Sequence, residues 1–214
     1  KGSIAAIKDA ITKSTAERTS PEVISAAYAV VYLIGGVLLA SARLLGAAGP
    51  FGMAAGAASG AGLNGVAALI GAAIGYIISC GLAGSIRYLA AIVLVYTISF
   101  AFQDTKLASK SVFAPATAAV SALSTGILSS FTSVFTQAPA AAVVLIETVF
   151  SFGGCWFFRE AMSGRERTTE SEELRYAGSM LITAAVLLMA VSQIEIFGAI
   201  SLGRLVAVLI VMTC

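Results

Sequence analysis

The sequence predicts an all-α fold, a polytopic bundle of about eight transmembrane helices. Of its 214 residues, 58% are hydrophobic and only 11% are charged, and the mean hydropathy is +0.95. Soluble domains average about 45–50% apolar and about 25% charged residues. A chain with so few charges cannot build a water-compatible surface. The composition therefore excludes a soluble globular domain, a disordered tail and a nucleic-acid binder.

The apolar residues are grouped into runs of the length that a bilayer requires. A hydrocarbon core about 30 Å thick needs about 20 apolar residues per helix. In chain order the runs are Val23–Ala42, Ala47–Leu63, Val66–Leu82, Ile86–Phe102, Val112–Phe135, Ala138–Phe158, Ala177–Ile196 and an eighth that begins near Ile200. Because the chain starts at Lys1 and stops inside the eighth run, we expect a fragment of a longer protein. Residues 23–214 form its transmembrane domain.

Residues 1–22 are a separate, polar lead-in. Ile4, Ile7 and Ile11 are spaced three and four apart among basic residues, which is typical of an amphipathic helix on a membrane surface. A soluble lead-in to the first span fits the same residues. Ser20 and Pro21 predict the start of the first span, since Ser caps helices and Pro fits their first turn.

Small residues recur through the second and third runs. Gly56 and Gly60 are four residues apart, as are Gly71 and Gly75. In lipid this spacing lets helix backbones approach closely. It predicts helix packing and self-association rather than a phosphate-binding loop, which would end in Lys followed by Ser or Thr.

The basic residues predict the orientation. Ten of the thirteen fall in connections on the side of the N-terminus, and only Arg43, Arg87 and Arg204 fall on the other. Cytoplasmic connections carry the excess of Lys and Arg. We therefore expect a multi-pass protein of the cell membrane with a cytoplasmic N-terminus. The ten are Lys1, Lys8, Lys13, Arg18, Lys106, Lys110, Arg159, Arg165, Arg167 and Arg175.

Glu147 is the ionisable residue nearest the middle of a predicted span. Glu195 lies near the end of the seventh run, and Arg87 and Arg204 begin the fourth and the eighth. Intramembrane charges often mark functional sites. Glu147 is therefore either a specific partner, paired with an Arg or with another helix, or a tolerated interior polar group.

Hydroxyl residues are frequent from Ser109 to Thr136. In lipid such hydroxyls usually bond to their own or a neighbouring helix, although a polar translocation path fits them too. The chain has no histidine, and Cys80, Cys155 and Cys214 show no metal-ligand spacing. The sequence thus offers no catalytic, cofactor-binding or metal-binding residue. The mixed-charge segment Arg159–Arg175 predicts a solvated connection, with docking of a cytoplasmic partner as an alternative.

Three segments resemble a known family. They are the junction Leu44–Gly52 with its Pro50-Phe51 pair, the acidic pair Glu172-Glu173 before the seventh run, and Ile200–Val208 with its Gly-Arg-Leu core. In order and character they are similar to the N-terminal membrane region of the stage II sporulation protein E (SpoIIE) family of endospore-forming Firmicutes. The resemblance covers essentially the whole chain.

The resemblance implies a function that lies mostly outside this chain. Members of the family have about ten spans, a regulatory region associated with the division protein FtsZ, and a PP2C-type serine/threonine phosphatase domain that needs manganese or magnesium. That phosphatase acts on an anti-anti-sigma factor and so frees a forespore sigma factor. By resemblance, this chain is the non-catalytic part: it has no cofactor of its own, inserts into the lipid bilayer, self-associates and localises the protein to the asymmetric division septum.

Two other classes of function stay open. A small secondary transporter or a substrate-binding membrane component would use Glu147 and the hydroxyl-rich fifth run as a polar path. Internal repeats would favour that class, and the sequence shows no convincing pair of halves. An intramembrane enzyme is the weakest option, because the chain has no histidine and no paired intramembrane acids.

Overall fold

A computed structural model describes residues 21–44, 47–131, 141–163, 169–193, 195–196 and 200–201. The described part is helical, as its composition predicts. Its helices are α1 (Pro21–Ser41), α2 (Phe51–Ser59), α3 (Leu63–Phe102), α4 (Phe113–Phe131), α5 (Ala141–Ala161) and α6 (Glu170–Ser192). Two antiparallel pairs of two-residue strands flank them: β1 (Arg43–Leu44) with β2 (Ala47–Ala48), and β3 (Glu195–Ile196) with β4 (Ile200–Ser201).

The prediction of eight separate spans is not supported. Among the described residues, four helices are long and apolar enough to cross a membrane, namely α1, α3, α5 and α6. Helix α4 contributes a shorter apolar stretch, and α2 has only nine residues. Residues 1–20 of the predicted lead-in (1–22) lie outside the described residues, and its last two residues already belong to α1. The eighth run lies outside them from residue 202 onward.

Helix α3 covers the third and fourth predicted runs, 40 residues in all, and its helical geometry is interrupted at Gly81, where the chain reverses close to the predicted break between Leu82 and Ile86. Gly81 has φ 69° and ψ 170°, a conformation that side chains with a Cβ rarely adopt. The rings of Tyr76 and Tyr88 are stacked with their centroids 4.7 Å apart. Twelve residues of straight helix would separate them by about 18 Å. Helix α3 is therefore a hairpin with a first arm before Gly81 and a second arm after it.

The second predicted run produces only the short helix α2, because glycine interrupts it. Gly60, with φ 78°, ends the helix, and an extended turn through Gly62 leads into α3. Residues Phe51 to Ala57 are all buried. Helix α2 contacts α1, α3, α4 and α5, so it lies at the centre of the bundle.

Glycine brings α1 and the first arm of α3 into backbone contact. A Cβ added to Gly36 would meet the backbone of Ala68, and one added to Gly71 would meet the backbone of Leu33. Gly75 lies in the same way against Val37. The prediction that Gly71 and Gly75 mediate close helix packing fits these contacts, which form within one chain. Self-association stays a prediction and requires a different surface.

The contacts assign the helix ends to two ends of the bundle. Arg43 Nη2 donates to the Ser79 carbonyl, and its backbone N–H donates to Gln193 Oε1, 2.9 Å away. The C-terminal ends of α1 and α6 and the turn at Gly81 therefore share one end, here called the Arg43 end. At the opposite end, called the Arg159 end, Arg159 Nη1 donates to the carbonyls of Lys110 and Ser111 at 3.4 and 3.3 Å.

Helix α6 begins seven residues before the predicted start of the seventh span and ends at Ser192, before the predicted end at Ile196. Its first turn carries Glu170, Glu172 and Glu173. Carboxylates are favourable at a helix N-terminus, where the backbone N–H groups lack intrahelical partners. The acidic residues thus extend the helix beyond its apolar part, so the connection that starts at Arg159 is shorter than the sequence indicated.

The distribution of residue sizes is opposite to that of a soluble bundle. The buried apolar core is rich in alanine, and the packing surfaces add glycine and serine. The large apolar side chains point outward instead, and they are found on every long helix. Examples at least 60% exposed are Val31, Ile78, Leu82, Leu145, Val149 and Leu181.

Candidate functional site

The candidate site is a buried polar cluster near the Arg43 end of the bundle. Arg87 and Tyr88 lie in the second arm of α3, less than two turns after the reversal at Gly81. Glu147 lies on the buried face of α5, together with Val144, Ser151 and Gly154. These α5 residues are three or four apart, so they share one side of the helix.

Arg87 and Glu147 form an ion pair between Arg87 Nη2 and Glu147 Oε2. Their side chains are only 10% and 4% exposed. The Tyr88 hydroxyl donates to the other carboxylate oxygen, Oε1, over 2.9 Å. The Arg87 guanidinium also lies 5.1 Å from the centroid of the Tyr88 ring, within cation–π distance. Both carboxylate oxygens are thereby occupied by groups from α3.

Tyr76 connects this cluster to the central helix α2. Its ring stacks on Tyr88 with an interplanar angle of 15°. Its hydroxyl donates to the carbonyl of Gly49, 3.0 Å away, and accepts from the backbone N–H of Met53 at 3.4 Å. The side chain of Tyr76 is completely buried. Through Tyr76, the ion pair is continuous with the start of α2.

The electrostatics of the cluster favour a structural role, in which the ion pair holds α3 against α5. Removing two charges from water is costly, and attraction in a low-dielectric interior offsets this cost only when the remaining polar atoms are also bonded. Here Glu147 Oε1 accepts a hydrogen bond and Oε2 has only its ion-pair contact with Arg87, while Arg87 Nε has no hydrogen-bond partner among the described residues. The pair is neutral overall and joins α3 to α5. Within the described ranges no three His, Cys, Asp or Glu side chains are grouped to hold a metal.

A stripe of hydroxyls follows the buried face of α4. Thr117, Ser121, Thr125 and Ser129 are four residues apart and all buried. Three of the four donate to carbonyls of their own helix, at 2.8 to 3.0 Å. Most of these hydroxyls are therefore satisfied by the backbone of their own helix. This agrees with the interpretation that they serve helix structure rather than a translocation path. Within the described structure, Ser121 Oγ has no partner, nor has the buried Ser151 Oγ of α5.

The structure resolves the two interpretations of Glu147 in favour of a specific partner, Arg87. Sequence reasoning placed both residues in spans without pairing them, because no local pattern shows which helices pack against each other. It missed Tyr76 and Tyr88 altogether. The two tyrosines are twelve residues apart in an apolar part of the sequence, and nothing in that spacing indicates that their rings stack. Of the other ionisable candidates, Glu195 lies in β3, and Arg204 lies outside the described residues.

A cleft of about 250 Å³ opens at the Arg159 end, away from the ion pair. It lies between the end of α2, the end of α3, the start of α4 and the last turn of α5. Its polar side chains are Ser59, Ser99, Gln103 and Arg159, and the Ser59 hydroxyl donates to the carbonyl of Ala55 in its own helix, 2.8 Å away. None of the residues of the Arg87 cluster lines it.

Comparison with known proteins adds no relative. No protein-family model, no curated protein and no solved structure matches this chain.

Proposed function

We propose that this chain is a membrane-embedded helical module that anchors a larger protein. The observation that carries the proposal is the distribution of side chains: large apolar residues outside, small and polar residues inside. In water such a surface would aggregate, since monomeric soluble proteins expose only limited apolar patches. In lipid the same surface is the favourable one. The four long apolar helices support the proposal.

We propose further that the anchored protein is a SpoIIE-like sporulation phosphatase, with this chain as its septum-localisation region. The support is the resemblance of three segments. The segment Leu44–Gly52 joins α1 to α2, with Phe51 at the start of α2. Glu172 and Glu173 lie in the first turn of α6. FtsZ, the anti-anti-sigma factor and the catalytic metal would all be engaged by regions outside this chain.

The experiment for this proposal has two parts. The gene is sequenced beyond the codon for Cys214, where we expect about two more spans and then a soluble region with the aspartates of a PP2C-type phosphatase. The chain, fused to a fluorescent protein, is then followed during sporulation, and we expect enrichment at the asymmetric septum. A stop codon soon after Cys214, or uniform fluorescence in all membranes, would contradict the SpoIIE assignment while leaving the membrane module intact.

A secondary transporter is the second candidate, and two observations favour it. The Arg87–Glu147 pair is a buried charge cluster, and α2 is a short helix inserted among longer ones. Transporters place such half-length helices beside their substrate sites. The test is substrate uptake by the protein in proteoliposomes, with Glu147→Gln and Glu160→Gln compared at equal protein levels. Uptake lost only in Glu147→Gln would favour transport over anchoring.

A further inference from the structure

The cleft at the Arg159 end has the shape and chemistry of a small ligand site. Its volume, about 250 Å³, is below the range of about 300–1,000 Å³ that is usual for drug-sized ligands. Its wall is formed by small residues from the end of α2 through Gly60, and by Phe113 and Ala114 at the start of α4. A space of this size suits a headgroup or a small ester. Ser99, Gln103 and Arg159 bring polar atoms to it.

Arg159 carries a positive charge without a carboxylate partner among the described residues. Its neighbour Glu160 pairs instead with Arg175, at 3.0 Å. To described residues Arg159 donates two long hydrogen bonds, both from Nη1, to the carbonyls of Lys110 and Ser111. The planar guanidinium has five N–H donors, so most of them have no partner in the described part of the chain. Arginine with free donors is the side chain best suited to bind a phosphate group.

Ser99 and Gln103 are also unpaired within the described structure. Neither side chain makes a hydrogen bond to a described residue, although Ser99 is largely buried and hydroxyls elsewhere in the bundle donate to backbone carbonyls. Ser99 lies in the last turn of α3, and Gln103 directly follows the end of that helix, four residues later. Three polar side chains without a partner among the described residues thus converge on one cleft, and the fourth polar side chain of its wall, Ser59, is bonded to its own helix.

We propose that this cleft binds a phosphate ester, with Arg159 on the phosphate oxygens and Ser99 and Gln103 on the hydroxyls of its head. An anionic phospholipid with a hydroxylated head, such as phosphatidylglycerol, has this chemistry. The cleft lies where α3 ends and α4 begins, which is the headgroup level of a bundle that spans a bilayer. Basic pockets between helices on the cytoplasmic side bind such headgroups in membrane proteins. This inference rests on the proposed membrane residence.

The test measures lipid retained on the purified protein. The whole chain is reconstituted with phosphatidylcholine, with and without phosphatidylglycerol, and the bound lipid is counted by native mass spectrometry. Arg159→Gln is compared with Arg175→Gln, a matched loss of charge at the same end of the bundle outside the cleft. Arg159→Lys keeps the charge but cannot form the bidentate hydrogen bonds of a guanidinium group. Helix content and membrane flotation are recorded for every variant.

We expect Arg159→Gln to weaken phosphatidylglycerol retention about tenfold or more, Arg159→Lys less, and Arg175→Gln little, because a charge-assisted hydrogen bond contributes about that factor. Competition by glycerol 3-phosphate would support the phosphate site and assign its occupant to a soluble ester. Equal losses in Arg159→Gln and Arg175→Gln, or none in either, would overturn the proposal. Loss of flotation in the unmodified chain would instead refute the membrane function on which it rests.

Discussion

Arg87 and Glu147 neutralise each other in an interior where neither charge would be stable alone. The Tyr88 hydroxyl occupies the carboxylate oxygen that Arg87 leaves open, over 2.9 Å. Tyr76 continues the cluster to the backbone of Gly49 and Met53. Four side chains thus join both arms of α3, α5 and the start of α2. At the scale of single residues this is the most connected polar feature of the described structure.

Removing one partner of the pair is expected to destabilise the fold strongly. In Glu147→Gln, Arg87 keeps a buried charge without a counter-charge, and the free energy of unfolding should fall by about 3–5 kcal/mol. Unfolding in detergent, followed by circular dichroism, measures the change. The double variant Arg87→Met/Glu147→Leu removes both charges and should recover most of the loss. Single and double variants of equal stability would show that the pair does not act as a unit.

The exposed pair Arg175–Glu160 provides the matched control. Its arginine side chain is 54% exposed, so water and salt screen the interaction. Glu160→Gln should change the free energy of unfolding by less than about 1 kcal/mol. A loss as large as that of Glu147→Gln would mean that burial does not distinguish the two pairs.

Tyr88→Phe isolates the hydrogen bond to Glu147 from the stacking of the rings. The variant keeps the aromatic face toward Tyr76 and loses only the hydroxyl donor. Hydrogen bonds to charged groups contribute about 1.5–3 kcal/mol, and the same unfolding measurement should show a loss in this range. Tyr96→Phe is the control, because the partly exposed Tyr96 has a ring contact with Phe100 but its hydroxyl has no hydrogen bond to a described residue. Equal effects of the two variants would contradict the hydrogen-bond interpretation.

At the scale of elements, two glycine positions decide how the helices are arranged. Gly81 allows α3 to reverse, and Gly36 allows α1 to lie against it. The sequence predicted the small-residue packing, since glycines four apart are a local signal. It also predicted a reversal between the third run, which ends at Leu82, and the fourth, and the structure has that reversal at Gly81. It did not predict the short α2, because the early end of that helix depends on the backbone angles at Gly60, which the composition of an apolar run does not reveal.

Gly81→Ala tests the reversal. A Cβ at Gly81 would meet nothing within 4 Å, so any effect must come from the positive φ. A residue held in such a conformation costs about 1–3 kcal/mol, and unfolding in detergent should show that loss. Gly153→Ala adds the same methyl in the interior of α5, also into open space, and should be neutral or slightly stabilising. If Gly81→Ala left the free energy of unfolding unchanged, the result would argue against the hairpin.

Gly36→Ala tests the packing of α1 on α3, with its neighbour Gly35→Ala as the matched control. A methyl group at Gly36 would press on the backbone of Ala68, which cannot move aside as a side chain can, whereas Gly35 has open space around it. Overpacking of this kind costs about 1–3 kcal/mol. Only Gly36→Ala should lower the unfolding midpoint. If Gly35→Ala lowered the unfolding midpoint and Gly36→Ala did not, the helix contact would lie on the other face of α1.

At the scale of the whole molecule, composition alone anticipated an all-helical, apolar chain, and the described part has that character. The count of eight spans is not supported among the described residues, because apolar length does not show where a helix such as α2 stops early. The described contacts agree with the predicted grouping of the basic residues at two opposite ends. Lys106, Lys110, Arg159 and Arg175 share the Arg159 end with the start of α1, and Arg43 and Arg87 lie toward the other. Which side of a membrane each end faces stays a prediction from the basic residues.

The most direct test of the central claim, a membrane module with its Arg159 end in the cytoplasm, is thiol labelling from either side. Cys80, Cys155 and Cys214 are replaced by Ala, and Lys106→Cys, Ser163→Cys and Ser192→Cys are introduced one at a time. An impermeant maleimide is applied to intact cells and to inverted vesicles. We expect positions 106 and 163 to react only in inverted vesicles and position 192 only in intact cells. Reaction of all three from the same side would contradict the account.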